Sequence, residues 1–165
     1  MYKDKFKKLI SVLDKEYDAY SKLKELFAEK REVLKQAKSD DLGVLDNKIL
    51  ATNNTIVKLN NMRKNASMEL LGKDGCMSDF ISFAENNQPE FQEPLMLRKV
   101  KICKIIEDLA LLNNQNVELL KHGIIMTNKM LETIVDAFAP QGSNYNGAGK
   151  TDTNDLDMWT INEEI

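Results

Sequence analysis

Residues 105–138 read IIEDLALLNNQNVELLKHGIIMTNKMLETIVDAF. The stretch has no Pro, a single Gly at 123, and apolar residues that return every three or four positions, which is the pattern of an amphipathic helix. With Ile106 as heptad position a, the a positions are Ile106, Asn113, Leu120, Thr127 and Ile134, and the d positions are Leu109, Asn116, Gly123, Met130 and Ala137. Positions g (Ile105, Leu112, Leu119, Met126) and e (Ala110, Val117, Ile124, Leu131, Phe138) are apolar too. A two-stranded coiled coil needs only a and d apolar and carries charges at e and g. This helix must therefore be covered over a broad arc, by other helices of the chain or by a partner. Cover from within the chain is expected before Gly123. A partner is expected after it, because the helices upstream are shorter and more polar. Asn113 and Asn116 interrupt the seam. Buried there, they would cost stability and select one register, since each amide must find a mate; the other reading is that the amides bond a partner's backbone.

Working outward, the chain looks like one domain made of long helices. At 165 residues it is 42% hydrophobic, 30% charged and only 7% aromatic. Its prolines stand at 89, 94 and 140, leaving long stretches without an obligatory breaker. Phe6, Ile10, Leu13, Tyr17, Tyr20, Phe27 and Leu34 alternate by threes and fours, with gaps at Lys24 and Arg31, and predict a first helix over about 3–37. Ser39-Asp40-Asp41 supplies a cap for a second helix over 40–71, with Leu42, Leu45, Ile49, Ile56, Leu59, Ala66 and Leu70 as its stripe. That helix is rich in Asn, a mediocre helix former, so packing must hold it. Gly72 and Gly75 should end it. Residues 72–94 read as an acidic connection, a flexible or partly helical loop, with a short turn capped by Ser78-Asp79 and a stop at Asn86-Asn87-Gln88-Pro89. Pro94 suits the first position of a third helix over 94–139. The expected fold is all-α: an elongated antiparallel three-helix coiled-coil bundle at 1–139, with a long C-terminal helix and a flexible tail at 140–165.

Charge and special residues exclude more than they assign. Net charge is −3; residues 1–38 carry eleven Lys/Arg against seven Asp/Glu, while the tail from Pro140 carries only Lys150 against five acids. The lysines are interleaved with acids, so a solvated helix face is favoured over a nucleic-acid or membrane patch. Met1 is followed by Tyr-Lys-Asp-Lys with no apolar run, and no stretch is long and apolar enough for a transmembrane helix, so a cytoplasmic chain without a signal peptide or stable membrane insertion is expected. Cys76 and Cys103 are isolated and read as reduced, incidental thiols. Gly147-Ala148-Gly149-Lys150-Thr151 imitates the end of a phosphate-binding loop, but Asn144 stands where the first Gly is required and no strand precedes it. His122 is the sole histidine, and no metal ligand set or catalytic constellation is found. No cofactor and no enzymatic activity are expected.

One block is more specific. Leu112-Asn113-Asn114-Gln115-Asn116-Val117-Glu118-Leu119-Leu120 resembles the Leu-Asn-x-x-Asn-x-x-Leu-Leu hallmark of FlgN-type flagellar export chaperones. Leu59 with Arg63 is similar to the Leu-x-x-x-Arg of that family's second helix, and Tyr145 with Gly147 and Gly149 is similar to its Tyr-then-Gly tail. The resemblance implies an ATP-independent cytosolic chaperone. It would bind the C-terminal region of hook–filament junction proteins, keep them monomeric and deliver them to the flagellar type III export gate. It implies a client surface on the last helix, for which Asn116, Leu119, Leu120, Ile124, Met126, Met130, Leu131, Ile134 and Phe138 are the candidates, and docking to the gate's cytosolic platform through Tyr145. Asn113 and Asn116 remain candidates for fixing register. The alternatives are a generic coiled-coil adaptor, whose tail should be dispensable, and a helical nucleic-acid-associated regulator, which the acidic balance disfavours.

Overall fold

The computed structural model describes residues 2–36 and 39–138, with side chains over 2–36 and 40–135. The described chain is all-α, as expected: α1 (Tyr2–Lys35), α2 (Ser39–Leu71), α3 (Met77–Asn87), a 3-10 turn (Pro89–Phe91) and α4 (Gln92–Phe138). It divides into two compact units, Met1–Gly123 and Ile124–Ile165.

In the first unit, α1 and α2 are antiparallel. Lys8 pairs with Glu69 at 2.9 Å near one end and Lys30 with Asp46 at 2.6 Å near the other. α4 runs parallel to α1: the Arg98 guanidinium forks onto the Asp14 carboxylate at 2.7 and 2.8 Å, and Lys24 reaches Asp108 at 2.7 Å. Hydrogen bonds from Lys24 and then Lys104 hold the Asp108 carboxyl below its ordinary range. Such exposed pairs add little stability, but they record the helix register.

The core accounts for these directions. Phe6, Leu9 and Leu13 of α1 pack with Ala66 and Leu70 of α2, Phe80 and Ala84 of α3, Phe91, and Leu95 and Ile102 of α4. Phe6 and Phe91 stack at 5.1 Å between ring centroids. Further along, Ala19 and Leu23 meet Ile56, Leu59 and Leu109. The buried face of α1 is Phe6, Leu9, Val12, Leu13, Glu16, Ala19, Leu23 and Leu26. Of the stripe expected for α1, Ile10, Tyr17, Tyr20 and Phe27 flank these clusters and are only partly buried. α1 is covered from more than one side, so the buried arc is wider than a single heptad seam and is centred closer to Leu9 and Leu23.

Among the described residues, Glu16 is the one buried charged group. Arg63 of α2 donates from Nε to Glu16 Oε1 at 3.1 Å. Burial raises the Glu16 carboxyl above its ordinary value, and Arg63 pulls in the opposite direction. The Leu59 and Arg63 singled out by resemblance thus have distinct structural tasks: Leu59 is core and Arg63 compensates a buried acid.

α2 ends as its glycines predict. Gly72 has φ +72° and its N–H reaches the Met68 carbonyl at 3.1 Å. Ser67 ties down the segment that follows, donating to the Lys73 carbonyl and accepting from the Gly75 N–H, both at 2.8 Å. A Cβ at Gly75 would lie 2.5 Å from Leu71 Cδ1 and 3.2 Å from Ser67 Oγ, so a larger residue in this turn would displace the Leu71 side chain.

The connection takes the partly helical of its two expected forms, with a longer helix than the short turn foreseen. The short turn placed at Phe80–Phe83 is the eleven-residue α3, whose N-cap is Cys76. Asp79 is not the cap; from the third helical position its carboxylate accepts the Cys76 N–H at 2.8 Å, and that bond lowers its pKa. The helix continues through Asn86 and Asn87 and breaks at Gln88, just before Pro89, because a residue ahead of Pro is driven out of the helical region. α4 begins at Gln92, so Pro94 stands third rather than first. The cost is nil, since the first four N–H groups of a helix have no intrahelical partner.

Candidate functional site

The inward line of α4 in the first unit is Leu95, Ile102, Ile105, Leu109 and Asn116, all buried, with Leu112 and Leu119 half-buried beside it. These are the d and g positions of the heptad frame, not a and d. Ile106 and Asn113 are exposed. The reason is hydrophobic: a seam of Ile105, Leu109, Leu112 and Leu119 buries more apolar surface than one containing Ile106 and Asn113, so the helix rolls to present it.

This rotation separates the two asparagines. Asn116 is 3% exposed, and its Nδ2 donates to the Phe27 carbonyl of α1 at 3.0 Å. Its Oδ1 and the Oε1 of Gln115 are buried without a partner. Asn116 thus spends its Nδ2 on α1 inside the first unit. Asn113, expected in the seam, lies on the solvent side, so the interhelical contact falls to Asn116. Leu120 is exposed at the end of the same unit.

The second unit has a different character. Every described side chain over 124–135 is exposed. Ile124, Ile125, Met126, Met130, Leu131, Ile134 and Val135 range from 48% to 62% exposed. At about 100° per residue, Met126, Met130, Ile134, Leu131, Ile124 and Val135 sweep roughly half the circumference. Lys129, Glu132 and Thr133 lie on the remaining side. Scattered exposed apolar residues need no explanation, but a contiguous face of this breadth marks an interaction surface. Two methionines along one edge suit it to varied partners, because the unbranched thioether side chain repacks easily.

Five of the client-surface candidates lie on this face: Ile124, Met126, Met130, Leu131 and Ile134. Val135 was missed; Ile125, also exposed, points to the side of Lys129 and Glu132. Val135 sits at b of the heptad frame, yet it is four residues after Leu131 and eleven after Ile124, which puts it on their face. A search by helical angle would have found it. Phe138 ends α4, and its side chain is outside the described residues, as is Tyr145. Among the described residues, no helix is long and apolar enough to cross a membrane, and no group of three or more His, Cys, Asp or Glu is placed to hold a metal ion.

Compared with known proteins, the chain matches the family model described as FlgN protein over residues 1–153. No curated protein and no solved structure matches it.

Proposed function

The chain belongs to the FlgN family of flagellar export chaperones, and from that premise we propose that the exposed apolar face over 124–135 is where it holds an export client. The observation that carries the reading is the half-cylinder of Ile, Leu, Met and Val side chains left in solvent. An amphipathic client helix laid on this face covers its own apolar stripe and that of α4 together, the helix-in-groove mode of recognition. The clients are hook–filament junction proteins, bound through their C-terminal region. Covering that region keeps them from assembling in the cytoplasm before export. The near absence of charge on the face gives affinity through apolar burial, with the rim left to set direction.

The second task belongs to the segment beyond α4. Tyr145 is the docking residue for the cytosolic platform of the export gate, a role that comes from the family resemblance. A binding segment on a separate stretch of chain lets the chaperone hold client and gate at once.

Burying one large aliphatic side chain is worth about 1.5–3 kcal/mol. Replacing Met130 and Ile134 together by Lys should weaken client binding roughly a hundredfold or more, measured by calorimetry against a purified junction protein, while circular dichroism stays unchanged. Binding that survives the double substitution with helicity intact would place the client elsewhere. Deleting residues 140–165 separates this reading from a generic coiled-coil adaptor: the chaperone keeps client affinity and loses the gate, whereas an adaptor loses nothing.

A further inference from the structure

The outer side of α2 carries a second heptad seam. Asn47, Leu50, Asn54, Val57 and Asn61 follow one another at strict intervals of three and four, and all are exposed. Leu50 is 57% and Val57 51% exposed. At about 100° per residue, this line is diametrically opposite the core line of Leu45, Thr52, Ile56, Leu59 and Leu70. α2 therefore has two seams, one spent on the core and one in solvent. The second accounts for three of the six asparagines of this helix: Asn47, Asn54 and Asn61 recur every seventh residue, alternating with an aliphatic side chain.

Such a pattern specifies its partner. Asn at a with an aliphatic residue at d is self-complementary only in a parallel, in-register pair, where each Asn faces its own counterpart and each d residue faces its own counterpart. An antiparallel mate would set Asn against Leu50 or Val57 and bury unpaired amides, which is unfavourable. A mate one heptad out of register would leave an end unpaired. The flanks agree. In the parallel pair Asp46 faces Ala51 and Asn53 faces Lys58, so no like charges meet. Lys64 takes the next d position, where two lysines would oppose each other, and it closes the seam.

We propose that α2 pairs with α2 of a second copy of this chain, parallel and in register, through Asn47, Leu50, Asn54, Val57 and Asn61. The pair is two-fold symmetric and buries the same patch on both protomers. A seam this short and this polar would not hold two isolated peptides. Here the core face has already ordered α2, so association loses little conformational entropy. This contact is independent of the client surface.

The test uses the full chain with Cys76→Ser and Cys103→Ser, which removes the two exposed thiols. Sedimentation equilibrium over a concentration series should show a monomer–dimer equilibrium, and Leu50→Lys with Val57→Lys should abolish the dimer without changing helicity. Asn54→Cys should form an intermolecular disulfide on mild oxidation, because parallel a positions face each other, whereas Thr55→Cys should not. A monomer at every concentration would overturn the proposal. So would a dimer that tolerates the double Lys variant, or one in which Asn54→Cys does not crosslink. Loss of client binding in the double Lys variant with no change in association would also overturn it, and would assign the seam to the client instead.

Discussion

The two parts of α4, residues 92–123 and 124–138, are written in the same alphabet and meet opposite fates. The first puts Leu95, Ile102, Ile105 and Leu109 into the core; the second leaves Ile124, Met130, Leu131 and Ile134 in solvent. Apolar periodicity is equally strong in both. What differs is whether a partner element covers the face. Hydrophobic spacing thus measures how much cover a helix needs and is silent on who provides it. A buried stripe and a docking surface are one physical request answered by different molecules.

Substitutions should treat the two parts of the molecule unequally. The largest difference is expected between Phe80→Ala and Ile124→Ala. Phe80 is fully buried in the cluster where the four helices and the 3-10 turn meet, and its truncation should cost about 3–5 kcal/mol of unfolding free energy in urea titration. Ile124→Ala should stay within about 0.5 kcal/mol, as an exposed site does. A large loss at Ile124 would mean that the second part is core after all.

An intermediate effect is expected at the buried pair in the first unit. Arg63→Ala leaves Glu16 without its compensating charge and should cost about 3 kcal/mol. Glu16→Gln keeps an acceptor for Arg63 and should cost about 1 kcal/mol. The sign with pH follows from the raised Glu16 carboxyl. The fold prefers this group protonated, so its contribution is present below the ordinary carboxylate value and is lost as pH rises through the raised one. Relative to Glu16→Gln, the parent chain should therefore be more stable in acid than at neutral pH. The opposite trend would mean that Arg63 outweighs burial.

The smallest effect separates the asparagines. Asn116→Leu removes one interhelical hydrogen bond together with a buried unpaired oxygen, and the two should nearly cancel, leaving about 1 kcal/mol of either sign. Asn113→Leu, at an exposed site, should change stability by less than about 0.5 kcal/mol. If Asn116→Leu keeps stability while blurring the amide spectrum, the residue fixes register at little energetic gain.

Helix order, the all-α class and the end of α2 were legible because they depend on local chemistry: periodicity, a left-handed Gly and a Pro that forbids continuation. α3 was underestimated because its eleven residues are held by Phe80 and Ala84 in a distant core, which no local pattern displays. The phase of α4 was misjudged because four of its seven positions are apolar, and a saturated pattern fits several phases. Only the packed bundle chose the one that buries Ile105 and exposes Asn113. Of the exposed face, Ile124, Met126, Met130, Leu131 and Ile134 were legible in the heptad frame, and Val135 was hidden by it.

The central claim is that residues 124–135 of α4 receive the client. Backbone hydrogen exchange of the full chain, with and without a purified junction protein, tests it most directly. The account predicts fast exchange over 124–135 in the free chaperone and marked slowing there in the complex, with little change at Leu95, Ile102 and Leu109. Slow exchange over 124–135 before the client is added, or new protection confined to other helices, would contradict it.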